Sequence, residues 1–403
     1  MARKDQRGRN LRQGESQRKD GLYMYRYTDA RNGQRRTIYD TDLASLREQE
    51  RQIAREIEDG IETSMAVKRM TVNELFAKYL ETRELSQSTL ENYKAMWKCR
   101  VKDEIGQMKV VQVKASDVKT FYASMSKMAY SHSTIKLVHN MLYPSFELAV
   151  EDDIIRKNPA KGALMDNGRP PKEKKALTVA EQKMLIDFVE HSPVYRVHLP
   201  MIQIMLGTGC RCGELIGLTW QDVDMEKREI TISAQLVYKN YGDGCKFHLT
   251  TPKTDAGVRV IPMNETVKQA LENQRRLNFM QAIPRDVEIE GRKDFIFMSR
   301  YGSPLMPNAV NHALENIVNA YNKQEKVKAK DEGRKPELLP RMSAHTMRHT
   351  CCTRMAERGV DMKVVQYIMG HANIAVTLEV YDHLTEKTRI EKEISKLADT
   401  WVI

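Results

Sequence analysis

The hydrophobic and polar positions divide the chain into three stretches with different periodicities. In residues 21–28, Tyr23, Tyr25 and Tyr27 occupy every second position and fall on one face, a pattern that predicts a strand. Asn32-Gly33 predicts a tight turn, and residues 35–39 predict a returning strand. A helix is predicted over about residues 43–59. The first stretch is therefore a small sheet-plus-helix module.

The second stretch, residues 71–155, has apolar side chains at helical spacing and predicts four helices. The predicted starts are Thr71 with Glu74, Ser88 with Glu91, Ser116 with Asp117, and Ser133. Pro144 falls inside the fourth helix, where we expect a kink or a break. This stretch predicts a small all-α domain.

In the third stretch, helices alternate with short strands. Thr178-x-x-Glu181 is a capping box that opens its first helix. The strands are predicted near residues 230–233, 235–238, 247–250 and 258–262, and helices return from about residue 264. The fold class is thus α+β and multidomain, and its last domain is mainly α with a small antiparallel sheet.

Two connectors separate the predicted domains. We divide the chain into domains at 1–62, 71–157 and 176–384, linkers at 63–70 and 158–175, and a C-terminal segment at 385–403. The second linker is rich in proline, glycine and lysine. Fully extended, it spans roughly 60 Å and can wrap around a duplex. An ordinary surface connector remains the alternative.

Composition narrows the class of protein. The chain has 403 residues, 41% of them hydrophobic, and six cysteines, which do not suggest a disulfide framework. It lacks both a run of about 18 apolar residues and the apolar stretch of a secretory signal. We therefore expect a cytoplasmic protein without a membrane partner.

The formal charge of +11 is concentrated near the start of the chain. Residues 1–36 hold eleven basic and four acidic side chains, which favours nucleic acid as the partner, although a solvated basic tail remains possible. The candidate DNA contacts are Arg7, Arg9, Arg12, Arg18, Lys19, Tyr25, Arg35, Arg36 and, in the second linker, Lys172, Lys174 and Lys175.

The candidate chemistry lies in the second half of the chain. Its members are Arg211, Lys253, His345, Arg348, His371 and Tyr381, with Glu214 three residues after the first arginine. Arginine, lysine and histidine donors can surround a phosphate that a tyrosine attacks. Each residue alone has a plainer interpretation, such as a surface ion pair, a solvated lysine or a core tyrosine.

A zinc site is a weaker alternative. His345 and His349 have the spacing of two metal ligands on one helix face. However, Thr346 stands where a metalloprotease helix carries glutamate, and the chain has no Cys-x-x-Cys pair. The sequence therefore disfavours zinc.

Taken together, the candidate residues resemble the tyrosine recombinase (phage-type integrase) family. The resemblance lies in their order along the chain, Arg…Lys…His-x-x-Arg…Gly-His…Tyr, and in the motif Gly-x-Arg-x-x-Glu-Leu around Arg211. The resemblance covers residues 176–384. Residues 71–155 are similar to that family's SAM-like core-binding domain. The arginine-rich start and its hairpin resemble the arm-binding domain of conjugative-transposon integrases.

The resemblance implies a role for each candidate residue. Tyr381 attacks the scissile phosphate and forms a 3′-phosphotyrosine, Lys253 is the general acid and His345 is the general base. Arg211, Arg348 and His371 stabilise the transition state, and Glu214 supports Arg211. It also implies that no metal or nucleotide cofactor is needed.

The resemblance implies an enzyme that excises and integrates a mobile DNA element. Its implied partners are double-stranded DNA at the ends of that element and at the target site, three further copies of the chain, and an accessory excisionase. Segment 385–403 is expected to dock in trans within a tetramer, and packing in cis is the alternative. The implied setting is a bacterial cytoplasm, at the nucleoid. Two rival functions remain open: a type IB topoisomerase-like strand transferase and a catalytically silent DNA-binding regulator.

Overall fold

The computed structural model describes residues 3–28, 33, 35–58, 69–165, 168–169, 176–242, 244–250, 257–282, 284, 286–375 and 377–378. The chain forms two compact units, Met1–Lys172 and Glu173–Ile403, which we describe separately. Among the described helices, none is both long and apolar enough to cross a bilayer.

The N-terminal module is a three-stranded antiparallel sheet covered by one helix. Its elements are β1 (Glu15–Gln17), β2 (Tyr23–Thr28), β3 (Arg35–Asp40) and α1 (Leu43–Glu58). The strand order is β1-β2-β3, and Tyr23, Leu43 and Leu46 form the buried core. The predicted hairpin and helix are confirmed. Strand β1 was not predicted, because three residues are too short to show an alternating pattern.

Four helices follow in the first unit. They are α2 (Val72–Glu81), α3 (Gln87–Arg100), α4 (Ala115–Lys127) and α5 (His132–Glu151). Phe76 of α2 stacks on Trp97 of α3 with ring centroids 3.7 Å apart, inside an apolar core shared by all four helices. The predicted all-α arrangement is confirmed.

Two of the predicted helix starts are wrong. The capping box of Thr71 and Glu74 is present, but α3 begins after Ser86 rather than at Ser88. Helix α4 begins after Lys114, whose backbone amide donates to the Asp117 carboxylate. Serine and acidic residues are common throughout a first helical turn, so the motif marks the region of a helix start better than its first residue.

The break expected at Pro144 is also wrong, because α5 runs through it from His132 to Glu151. Met141, Leu142 and Phe146 on either side of the proline are fully buried. Their burial stabilises the helix by about 1.5–3 kcal/mol per large apolar side chain, which can offset the cost of about 3 kcal/mol for an interior proline.

The second unit contains the remaining elements. Its helices are α6 (Val179–His191), α7 (Leu199–Thr208), α8 (Cys212–Ile216), α9 (Glu265–Met280), α10 (Pro307–Asp331), α11 (Ala344–Glu357) and α12 (Met362–Met369). Its strands are β4 (Val223–Asp224), β5 (Glu229–Ile232), β6 (Gln235–Asn240), β7 (Cys245–Thr250) and β8 (Arg259–Pro262). The capping box at Thr178 and the four predicted strands are confirmed.

The strands form two separate antiparallel pieces, β4-β5-β8 and the hairpin β6-β7. The apolar helix α7 packs against both α9 and α11, and α12 packs against α11 and β8. The start of α8, the first two turns of α11 and the second residue after α12 carry the described candidates for the chemistry.

Candidate active site

The first candidate arginine lies at a sharp turn between two helices. Helix α7 ends at Gly209, whose φ of 62° is left-handed, and Arg211 then caps α8. The Arg211 guanidinium donates through Nη1 to Glu214 Oε1 at 2.7 Å and through Nη2 to the Gly370 carbonyl at 2.8 Å. Its side chain is 39% exposed, so N–H donors remain accessible from outside.

The second candidate arginine is buried. Arg348 lies in the second turn of α11 and donates to the carbonyl oxygens of Gly209, at 2.7 Å, and Met369. Burial, followed by the nearby charge of Arg211, lowers the pKa of Arg348 to about 10. The group therefore remains a cation at neutral pH.

The two candidate histidines have different environments. His345 is exposed in the first turn of α11, three residues before Arg348. His371 follows the left-handed Gly370 that ends α12, and its Nδ1 lies 2.9 Å from Thr377 Oγ1. Burial and then the charges of Arg348 and Arg211 lower the pKa of His371 to about 4, so the imidazole is neutral at pH 7.

Three arginines meet at the end of α12. The carbonyl oxygens of Ile368, Met369 and Gly370 accept hydrogen bonds from Arg259, Arg348 and Arg211, respectively. The last carbonyls of a helix have no partner within the helix, and cations near them also complement the helix dipole. The arginines thus fix the helix end that places His371, and the helix end fixes the directions of the arginines.

Glu214 connects two of these arginines. Its carboxylate, 2% exposed, accepts from Arg211 on one side and from Arg259 on the other, with Arg259 Nη2 at 2.8 Å. Burial raises the pKa of Glu214, but the hydrogen bond and charge of Arg259 and then the contacts of Arg211 outweigh it, and the net pKa is lowered.

Sequence reasoning missed Arg259 as a member of this pocket. In β8, Arg259 and Ile261 point inward while Val260 and Pro262 are exposed. No local signal indicated this burial, because alternation along this strand predicts the apolar Val258 and Val260 on the inward face, whereas both are exposed and Arg259 is buried.

Lys253 and Tyr381 lie outside the described residues, as do Lys172, Lys174 and Lys175 and the segment 385–403. The structure therefore brings together Arg211, Glu214, Arg348 and His371, with His345 on the same helix as Arg348.

The candidate DNA contacts of the N-terminal module differ in their exposure. The exposed ones are Arg7, Arg12, Arg18, Lys19 and Arg35, whereas Arg9, Tyr25 and Arg36 are partly buried. Arg9 is tied to Asp5 at 2.7 Å and to the Tyr23 hydroxyl at 2.6 Å. Its guanidinium therefore stabilises the module itself.

Three family models match the chain. The phage integrase family matches residues 175–388, the DNA-binding domain of the Tn916 integrase matches residues 1–57, and the N-terminal SAM-like domain of phage integrases matches residues 71–126.

Among similar proteins, the transposase from transposon Tn916 of Enterococcus faecalis is 34% identical over 97% of both chains. The solved Tn1549 transposon integrase in complex with transposon right-end DNA is also 34% identical, with a TM-score of 0.71 over 82% of this chain and all of that one. A lambda integrase tetramer bound to a Holliday junction shares the fold, with 17% identity and a TM-score of 0.52 over 91% of this chain and 97% of that one.

The Tn916 match extends over nearly the whole chain, and the family model covers more than half of it. The chain therefore belongs to the phage integrase family and is a site-specific tyrosine recombinase, a DNA-cleaving and rejoining enzyme related to the integrases of conjugative transposons.

Proposed function

We propose that Tyr381 attacks a scissile phosphate held by Arg211, Arg348 and His371. The convergence of two guanidinium groups on the segment that carries His371 is the observation that supports this assignment most directly. Both groups are held by carbonyl oxygens, so donors aimed at a phosphate need little reorganisation when negative charge develops on it.

In the proposed cleavage step, the Tyr381 oxygen forms a bond to phosphorus and the bond to the 5′-oxygen breaks. His345 takes the tyrosine proton, because a free tyrosine has a pKa of about 10 and is a weak nucleophile near neutral pH. Lys253 donates a proton to the leaving 5′-oxygen. The products are a 3′-phosphotyrosine and a free 5′-hydroxyl.

The neutral state of His371 fits a donor role. If the Thr377 hydroxyl donates to Nδ1, the ring proton resides on Nε2, which then donates to a non-bridging phosphate oxygen. Glu214 keeps Arg211 aimed at the same phosphate.

The phosphotyrosine conserves the bond energy, so a 5′-hydroxyl from another strand reverses the step. Two successive exchanges through a Holliday junction would join element ends to a target or excise the element. The Tn1549 integrase, which is 34% identical, was solved with transposon right-end DNA and with circular intermediate DNA, and these complexes support an action at element ends.

The proposed assembly is a tetramer on DNA. In it, residues 1–62 bind arm sites, residues 71–157 and 176–384 enclose the core site, and the linkers at 63–70 and 158–175 connect them. The apolar segment 385–403 docks in trans on a neighbouring copy, and an excisionase directs excision. The match of residues 1–57 to the Tn916 DNA-binding domain supports the first of these assignments.

The test removes one oxygen atom, the side-chain hydroxyl of Tyr381. Tyr381→Phe is expected to bind a nicked suicide duplex that carries a candidate element end as tightly as the wild type, and to lose the covalent adduct seen on denaturing gels. Adducts of wild-type yield in the variant would overturn the nucleophile assignment. A wild-type protein that binds DNA but forms no adduct would instead favour a silent regulator.

A further inference from the structure

Arg259 is a buried cation at the centre of the catalytic unit. Its side chain is fully buried, and among the described residues it is the largest side chain that is. Nη1 and Nη2 both reach the Glu214 carboxylate, at 3.2 and 2.8 Å. Nε donates to the Ile368 carbonyl at 2.6 Å, and Nη1 also donates to Gly257 at 3.0 Å.

These contacts join three parts of the proposed machinery. Glu214 holds Arg211, Ile368 belongs to the helix end that places His371, and Gly257 follows Lys253 by four positions in the sequence. Arg259 itself has no exposed atom with which to touch a phosphate.

We propose that Arg259 is a positioning residue for the recombination reaction, which acts through Glu214 to aim Arg211 and through Ile368 to place His371. The inference rests on the proposed function, because it assigns a purpose to the geometry of groups proposed to bind the phosphate.

The physical reason is that a buried carboxylate needs more than one partner. Without Arg259, Glu214 would retain only the half-exposed Arg211 as a hydrogen-bonded cation, and burial would raise the carboxyl pKa. Protonation of Glu214 would then release Arg211, and the Ile368 carbonyl would lose its donor. The other titratable groups of the described residues whose charges act on this cluster are Arg348, His371 and the buried Cys210 thiol.

The experiment compares Arg259→Met and Arg259→Lys with Arg292→Met in the full-length protein. Arg292 is a matched control, since it makes a comparable two-point ion pair with Asp222, at 2.8 and 3.2 Å, among residues with no proposed role in the reaction. The measurements are affinity for a nicked suicide duplex and the single-turnover rate of covalent adduct formation at saturating protein.

Arg259→Met is expected to bind DNA within about threefold of the wild type and to cleave about 100-fold more slowly, the scale of a misplaced catalytic group. Its rate should fall more steeply than that of the wild type as the pH decreases, because the Glu214 carboxyl, without Arg259, takes up a proton at a higher pH than in the wild type. Arg259→Lys should recover part of the rate and weaken this acid limb. Arg292→Met should cleave at the wild-type rate wherever it is folded.

If Arg259→Met does not fold, the double variant Glu214→Gln with Arg259→Met is measured in its place. The double variant leaves no unpaired charge buried at this position. It is expected to fold, to cleave slowly and to lack the additional fall in cleavage rate at low pH that protonation of Glu214 causes. Wild-type cleavage by the double variant, or by Arg259→Met with an unchanged pH profile, overturns the positioning role. If the wild-type protein itself forms no adduct that depends on Tyr381, the proposed function fails instead.

Discussion

Two sets of arginines, one buried in the second unit and one exposed in the N-terminal module, are held in opposite ways. In the catalytic unit, Arg348 and Arg259 are buried, and both donate to backbone carbonyls that fix their direction. In the N-terminal module, Arg18 and Arg35 are exposed, and Arg18 has only a loose contact of 3.5 Å with Asp20.

The difference matches the two uses of positive charge that we propose, at the scissile phosphate and along the bound duplex. Stabilising a transition state requires donors that are already aimed, because reorganisation at the moment of reaction costs free energy. Attracting a duplex requires only charge near phosphates, because counterion release does not depend on exact direction. Substitutions of the buried arginines in the second unit should therefore affect the rate of cleavage. Substitutions of the exposed arginines in the N-terminal module should affect the salt-dependent affinity for DNA.

The largest effect is expected for Arg211→Lys. Lysine keeps the positive charge but cannot contact Glu214, Gly370 and a phosphate at once, because it lacks the planar fork. We expect adduct formation to slow about 100- to 1000-fold while DNA affinity stays within a fewfold of the wild type. Arg35→Lys is the control and should leave both quantities unchanged. A comparable slowing in both variants would remove the distinction between the units.

The next largest effect is expected at Gly209. Its left-handed φ of 62° disfavours any other residue, and an added Cβ would lie 2.5 Å from the terminal methyl carbon of the buried Met369. Gly209→Ala should reduce the free energy of unfolding by about 1–2 kcal/mol and slow cleavage, since the Gly209 carbonyl anchors Arg348.

Gly359 provides the matched control for this substitution. Its φ is 73°, but an added Cβ meets nothing within 4 Å. Gly359→Ala should show a similar backbone cost in thermal denaturation and no change in the cleavage rate. Equal cleavage rates in the two alanine variants would show that Arg348 does not depend on the geometry of the Gly209 turn.

Local patterns predicted most of the fold. Capping boxes and apolar spacing identified the helices, and Asn32-Gly33 identified the N-terminal hairpin, because these signals act over a few neighbouring residues. The continuity of α5 through Pro144 was not predictable, since it depends on burial against the rest of the helical domain. Tertiary packing overrode a local signal there.

The same division applies to the site. Arg211 and Glu214 are three residues apart, so their pairing was readable from the sequence. Arg259 reaches Glu214 across 45 positions and Ile368 across 109, and no local pattern encodes such a contact. The choice of Arg9 as a DNA contact also overlooked a structural use, because its partner Tyr23 is fourteen positions away.

A smaller effect is expected in the N-terminal module, where Arg35→Ala and Arg9→Ala should differ. Arg35 is exposed, so its loss should lower the slope of log affinity against log salt by about 0.9 for each phosphate contact removed, and leave the melting temperature unchanged.

Arg9→Ala should instead lower the melting temperature, because it removes hydrogen bonds to Asp5 and Tyr23. Although burial opposes it, the hydrogen bond from the Arg9 side chain is the leading cause that lowers the pKa of Asp5 to about 2. Filter binding to a random-sequence duplex over a salt series, together with calorimetry, distinguishes the two variants. Identical slopes for Arg35→Ala and the wild type would exclude a phosphate contact at Arg35.

The smallest effect concerns the charge of His371, and it tests whether Arg348 and Arg211 lie as close to this histidine as the contacts indicate. In the DNA-free protein, burial and then Arg348 and Arg211 lower the pKa of His371 from 6.5 to about 4. Its imidazole NMR signals should therefore stay flat between about pH 8 and pH 5, the range in which an ordinary histidine titrates. As pH falls through 6.5, the unfolded chain binds a proton at this position and the folded chain does not, so stability is lost towards pH 4.

Arg211→Gln removes one of the charges and should raise the titration midpoint of His371, whereas Arg35→Gln, in the other unit, should leave that midpoint unchanged. An ordinary midpoint in the wild-type protein would mean that His371 is neither buried nor crowded by the arginines in solution, and an unchanged midpoint in Arg211→Gln would remove the electrostatic consequence of the fixed arginines.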